Sequence, residues 1–292
     1  MRRAFITLLL VIVPLSAGAA KDNAHPLVGK LWSTAEQRFV DWSEFYQHWL
    51  PKGGWLLLGE QHDNADHHRL EALIIREMGT RKQLGAVALE MATLQQQPAF
   101  DKAQAQGASE ITAEQLDWSE GWPWSLYAEP VRTAFHWSPK VLGADIARER
   151  IKTIYRGKET VDVLEPAHTA FMLDLLFDSH CGQMPKDRLQ PMQQIQLARD
   201  QQIASVLRTH TQPGLTGVLL TGTIHARSDL GVPRWLGTTP RVSLLMQALE
   251  QSQSPEDYHP ATFGNLPTTD LILFTPETEA ADYCADLTLK SK

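Results

Sequence analysis

Two short stretches set a glycine and an imidazole three residues apart, the first with an acid between them, a pattern suited to proton transfer or metal binding. Gly59-Glu60-Gln61-His62-Asp63-Asn64 begins at the end of the apolar run 55–59, and Gly222-Thr223-Ile224-His225 follows the run 217–221. Glu90 closes a third apolar run, 85–89, and Asp145 a fourth, 140–144, while Arg227 and Asp229 lie just beyond His225. Ligands of open α/β sheets gather beyond the carboxyl ends of the strands, so all these side chains are expected at one crevice. Glu60, His62, Glu90 and His225 are the residue types that hold a divalent metal. The same four could work without metal, a carboxylate of raised pKa taking a proton from water and a histidine passing it on. No HExxH pattern occurs, which excludes a thermolysin-type zinc site, and no Ser or Cys nucleophile elbow is visible. His67 and His68 are neighbours, about 100° apart on a helix, and read as helix-surface or packing residues.

Positioning these side chains requires strands that end together. The runs 55–59 (WLLLG), 85–89 (GAVAL), 140–144 (KVLGA), 217–221 (GVLLT), 242–246 and 271–274 (LILF) read as strands buried on both faces. Helical spacing of Leu70, Leu73, Ile74 and Met78 predicts a helix over 63–78, and further helices are predicted over 167–177 and 190–208. Apolar strands alternating with helices imply an α/β domain, a mainly parallel central sheet covered by helices. The helical stretch 146–212 is longer than one crossover needs and is expected to cap the ligand end of the sheet. Residues 258–269 read as loop.

The first 20 residues have another purpose. Arg2 and Arg3 precede the apolar run 4–14, and Ala17-Gly18-Ala19 supplies small residues at cleavage spacing. This is a secretory signal peptide, too short to span a bilayer, which takes about 20 apolar residues. The expectation is a periplasmic chain, residues 21–292, folded as one domain. No cysteine lies near the cleavage point, so no lipid anchor is expected there. The formal net charge of -7 becomes -9 once Arg2 and Arg3 are removed, a poor balance for binding nucleic acid. Cys181 and Cys284 are the two cysteines. Spacing leaves open a disulfide or two buried thiols, and argues against a structural zinc site.

The opening motif, continued by His67-His68-Arg69-Leu70, resembles that of the ChaN-like family of haem-binding uptake proteins. That family shares a superfamily with Tiki, the TraB-like proteins and the erythromycin esterases. Its two G-x-x-H motifs look like Gly59-x-x-His62 and Gly222-x-x-His225, and its glutamate after the second strand looks like Glu90. Gln95-Gln96-Gln97-Pro98, the Trp-rich bend 118–124 and the segment 222–233 (GTIHARSDLGVP) extend the resemblance over roughly residues 56–233. Asp145 stands where the family often has Asn. The resemblance implies haem as cofactor, an iron ligated by tyrosine, a homodimer with stacked haems, and haem receptor or transporter components as partners. Tyr127 is then the preferred ligand, with Trp118, Trp122, Trp124 and Leu126 as a porphyrin wall or simply a packed bend. Tyr155, beside Arg156 and Lys158, is the second choice and His136 the third. The alternative implied by the hydrolytic relatives is a metal- or carboxylate-dependent hydrolase using Glu60, His62, Glu90 and His225.

Overall fold

The computed structural model describes residues 25–107, 110–278 and 284; the stretch 1–20, expected to be a signal peptide, lies outside them. In chain order the elements begin with β1 (Leu31–Ser33), β2 (Arg38–Val40), the short turn α1 (Trp42–Glu44), β3 (Gly54–Glu60), α2 (Ala65–Thr80) and β4 (Leu84–Thr93). They continue with α3 (Gln97–Gln106), α4 (Trp124–Trp137), β5 (Val141–Asp145), α5 (Arg148–Tyr155), α6 (Pro166–Ser179) and α7 (Gln190–Thr209). β6 (Thr216–Gly222), α8 (Thr223–Ala226), β7 (Arg241–Ala248) and β8 (Leu271–Thr275) complete the fold.

The described strands form one eight-stranded sheet in the order β2-β1-β8-β7-β3-β6-β4-β5. The six strands from β8 to β5 pair in parallel, and they are the six expected from the sequence. β1 and β2 add an antiparallel edge that the sequence reading did not anticipate. They are three residues each, too short for a two-residue period to stand out. Along β3 the alternation of a strand divides the core: Leu56 and Leu58 pack on one face, Trp55 and Leu57 on the other. The first face is covered by α2 and α4 through Ile74, Ile75, Met78, Val131 and Ala134. The second is covered by the C-terminal half of α7 through Ile203, Ala204 and Leu207.

The stretch 146–212 therefore has two roles. The second half of α7 is an ordinary crossover helix on the sheet, while α6 and the first half of α7 line a crevice at the strand ends through Met172, Leu176 and Arg199, and α5 lines a second cavity through Arg148 and Ile151. Helix α2 also differs from expectation. Its buried stripe is His67, His68, Glu71, Ile74, Ile75 and Met78, and Leu73 is exposed. The stripe is rotated because three polar residues satisfy one another or the strand ends inside the core. Asn64 starts this helix, its side chain accepting from the Asp66 N–H at 3.0 Å. Cys181, just after α6, is disulfide-bonded to Cys284, with their Cα atoms 5.6 Å apart. No helix among the described residues is long and apolar enough to cross a membrane.

Candidate functional site

Strand register brings the expected acids together. β6 lies between β3 and β4, with Glu60 opposite Gly222 and Leu89 opposite Leu220. Glu90 is inside β4 rather than after it, because pairing with β5 carries that strand on to Thr93. The glycines of the two motifs make this packing possible. A Cβ on Gly222 would lie 2.7 Å from His62 Nε2, and one on Gly59 would lie 2.9 Å from the Ala226 Cβ and 2.6 Å from Leu245. Each motif thus leaves room for the residues that follow the other.

Two polar hubs result. Glu60, buried at the end of β3, accepts from the Tyr127 hydroxyl at 2.9 Å and has His62 Nδ1 at 2.8 Å, both on Oε1. Its other oxygen, Oε2, lies 2.8 Å from His68 Nδ1, which is also 3.1 Å from Glu71. Burial opposes charge on every member. It opposes protonation of His68, yet Glu60 and Glu71 outweigh it and push the imidazole up to about 10. Burial, reinforced by Glu60, pushes Glu71 up to about 8. His62 likewise loses by burial but is held above its ordinary value by Glu60 and Glu90.

The second hub is Glu90. Its Oε2 accepts from the Thr221 hydroxyl at 2.5 Å and the Gly222 N–H at 2.7 Å, and its Oε1 from the Arg199 guanidinium at 2.7 Å. Burial alone would raise this carboxyl, but His225, Arg199 and His62 together hold it well below the usual range. Arg199 also spans both oxygens of Asp145 at 3.0 Å. His225 Nδ1 is 2.7 Å from Asp200, and its Nε2 is 3.5 Å from Glu90. Between the hubs stands His62, its side chain 40 % exposed and Nε2 4.0 Å from Glu90. A crevice of about 610 Å³ opens above, floored by His62, Glu90, Arg199 and His225 and walled by Met172, Leu176 and Met246. Carboxylate–imidazole pairs facing such a space can orient a bound polar group and accept or return its proton.

Other expected site residues fall elsewhere. Among the described residues, Glu60, His62, Glu90 and His225 do not bring their ligand atoms within 4.8 Å of one another as a set. Glu90 accepts three hydrogen bonds, one of them from a guanidinium, which repels a cation. Among the described residues, the group whose ligand atoms all lie within 4.8 Å of one another is Glu60, His68 and Glu71. Arg227 and Asp229 pair with each other at 2.6 Å, and Arg227 ties down the Ala261 carbonyl, so they brace a loop instead of lining the crevice. Tyr127 is fully buried, its ring among His68, Trp118 and Trp122. Burial and the carboxylates of Glu60, Glu71 and Glu90 drive its pKa far upward, the opposite of what a phenolate ligand needs. Trp124 packs edge-on against Trp118 under Arg132, and Trp122 is the ring that meets His62, 4.8 Å away. His136, near the C-terminal end of α4, sits beyond the start of β5, at the opposite end of the sheet.

Tyr155 is different, 52 % exposed at the end of α5. Arg148 and Ile151, on the same helix face by their spacing, line a second cavity of about 680 Å³ with Trp122, Met91 and Ile146. Its lining touches that of the first, Asp145 pairing with Arg199 and Trp122 meeting His62.

Arg199, Asp200, His68 and Glu71 were not singled out from sequence as site residues. A pattern existed for two of them. Asp200 shares the buried register of Gln193, Leu197, Ala204 and Leu207, and Glu71 that of His67, Ile74 and Met78. A charge at a core position needs a partner, and the strand ends supply it.

The fold has a known counterpart, and weaker similarities beside it. A Campylobacter jejuni structure described as cofacial haem binding to ChaN superposes with a TM-score of 0.70 at 22 % identity, covering 83 % of this chain and 95 % of that one. An erythromycin esterase, EreC, in its open conformation is similar at 0.46 and 14 % identity, over 89 % of this chain and 87 % of that one. The type III effector HopBA1 follows at 0.41 and 12 %, over 77 % and 88 %. No curated protein matches the sequence. Residues 49–236 match the model of the family described as haem-binding uptake, Tiki superfamily, ChaN, and the chain belongs to that family.

Proposed function

We propose that this protein binds haem in the periplasm during iron uptake, holding the iron through Tyr155. The observation that carries the reading is an exposed phenol on the α5 face that also lines the second cavity. The residues fit the group: Trp122, Ile146 and Ile151 are apolar, and Arg148, Lys152, Arg156 and Lys158 offer cations near Tyr155 for propionates. Haem supplies a ferric iron, which takes phenolate as an axial ligand. A ligand on an exposed helix end suits a homodimer that brings two haems face to face; the Campylobacter structure is described as cofacial haem binding. Haem receptor or transporter components then supply or accept the cargo. Export is supported by the signal-type N-terminus and by a disulfide, which persists in oxidising compartments. Mass spectrometry of periplasmic protein should find a start near Ala20 or Lys21; an intact Met1 on exported protein rejects this.

Hemin titration tests the ligand. Wild type should give a saturable Soret shift and a tyrosinate charge-transfer band. Tyr155→Phe should lose that band and bind at least about tenfold more weakly. Tyr127→Phe should keep the band. The opposite pattern returns the iron to Tyr127, and no effect from either rejects tyrosine ligation. Light scattering with and without hemin reads the dimer.

The crevice itself favours a second reading, a hydrolase, because a half-exposed His62 lies between Glu60 and Glu90 with the His225–Asp200 pair behind it. Ester hydrolysis abolished by His62→Ala, with haem stoichiometry unchanged, would establish it as a separate activity.

A further inference from the structure

We propose that Glu60, His68 and Glu71 form a buried site for one divalent transition-metal cation at the base of the crevice, which Glu60 also lines. The three side chains come from the end of β3 and the first turns of α2, and all are essentially inaccessible to solvent. Their ligand atoms lie within 4.8 Å of one another.

The hydrogen bonding turns these atoms toward one another. Tyr127 and His62 both take Glu60 Oε1, which leaves Oε2 to His68 Nδ1, and Glu71 Oε1 is buried without a hydrogen bond. His68 Nε2 faces the His62 carbonyl at 3.2 Å, which places the Nε2 proton there. A backbone carbonyl on the remote nitrogen is how proteins orient a metal-binding imidazole. Nδ1 then points between the two carboxylates, 2.8 Å from Glu60 and 3.1 Å from Glu71. Ligands at about 2.0–2.2 Å from a tetrahedral ion are themselves about 3.4 Å apart, so an ion would spread the two His68–carboxylate separations by a few tenths of an ångström and draw the two carboxylates toward each other. Two carboxylates and one imidazole balance a dication and suit zinc or manganese better than calcium, which takes 6–8 oxygens. The alternative occupant is a single proton on Nδ1, shared by both acids.

Zinc is the probe. Full-length mature protein, stripped with EDTA and dialysed, should take up one Zn²⁺ per chain by elemental analysis and calorimetry. Zinc at about 100-fold over its dissociation constant should raise the melting temperature by about 5 °C or more, and Mg²⁺ should not. Glu71→Gln keeps the shape of the neutral acid, so it should stay folded by circular dichroism while losing at least about tenfold in zinc affinity. His62→Gln, on the crevice side, should retain the zinc. Absence of stoichiometric zinc on wild type overturns the proposal, as does unchanged affinity in Glu71→Gln. Equal loss in His62→Gln also overturns it, by moving the ion into the crevice.

Discussion

Replacing Arg199 by methionine strands two acids that the fold has buried. The guanidinium contacts Glu90 at 2.7 Å and both oxygens of Asp145 at 3.0 Å, and its own side chain is 15 % exposed. After the change Glu90 keeps Thr221, Gly222 and His225, whereas Asp145 keeps the Ile146 N–H. Removing one partner of a buried ion pair costs about 3–5 kcal/mol. At about 2–4 °C per kcal/mol for a chain this long, the melting temperature should fall by roughly 10 °C. The sign of the pH effect follows from the carboxyls. In the wild type, Glu90 titrates below its unfolded value, so its contribution is present above about pH 4.5 and fades as pH falls further. Without Arg199 both acids shift upward. An acid raised in the folded state destabilises most at high pH and is relieved as pH drops toward its unfolded value. Urea denaturation should therefore show a deficit at pH 7.5 that shrinks at pH 5, with Arg199→Lys recovering part of it. A variant within 1 kcal/mol of wild type at pH 7.5, or a deficit unchanged at pH 5, refutes the stranded-charge account (the threshold is about the spread of ordinary substitutions).

Two other outcomes are expected. His67 is buried with Nδ1 accepting the Gln61 N–H at 2.9 Å, and burial pushes it down to about 4. Its contribution is complete above about pH 6.5 and is lost as pH falls toward 4, by up to about 3 kcal/mol; His67→Gln should flatten the dependence of the urea midpoint over that window, and an unchanged slope assigns it to other groups. Gly222→Ala should push His62 away from Glu90, since the new Cβ would lie 2.7 Å from its Nε2. The cost is about 1–3 kcal/mol, and the His62 pKa should drop from its raised value in an NMR titration; a pKa that stays put contradicts the role given to this glycine.

The sequence alone determined the parallel core. Runs such as WLLLG and GVLLT must be buried on both faces, and their ends carry Glu60, Glu90, Asp145 and the two G-x-x-H motifs, so a shared crevice and a family resemblance were both legible. The short edge strands β1 and β2 were not, because three residues carry no period. What only the tertiary structure decided is who pairs with whom. Arg199 and Asp200 reach the crevice because α7 crosses back over β4 and β5, a contact between segments more than 50 residues apart. Tyr127 looked free in a tryptophan-rich bend, but α4 packs against α2 and turns its hydroxyl onto Glu60. Tyr155 looked secondary, yet its helix ends at the surface. His68 and Glu71 read as part of an amphipathic helix, and only the end of β3 turns them into a cluster around Glu60. Residue type and spacing fix which side chains need partners; burial and register, set by contacts distant in the chain, fix which partners they find.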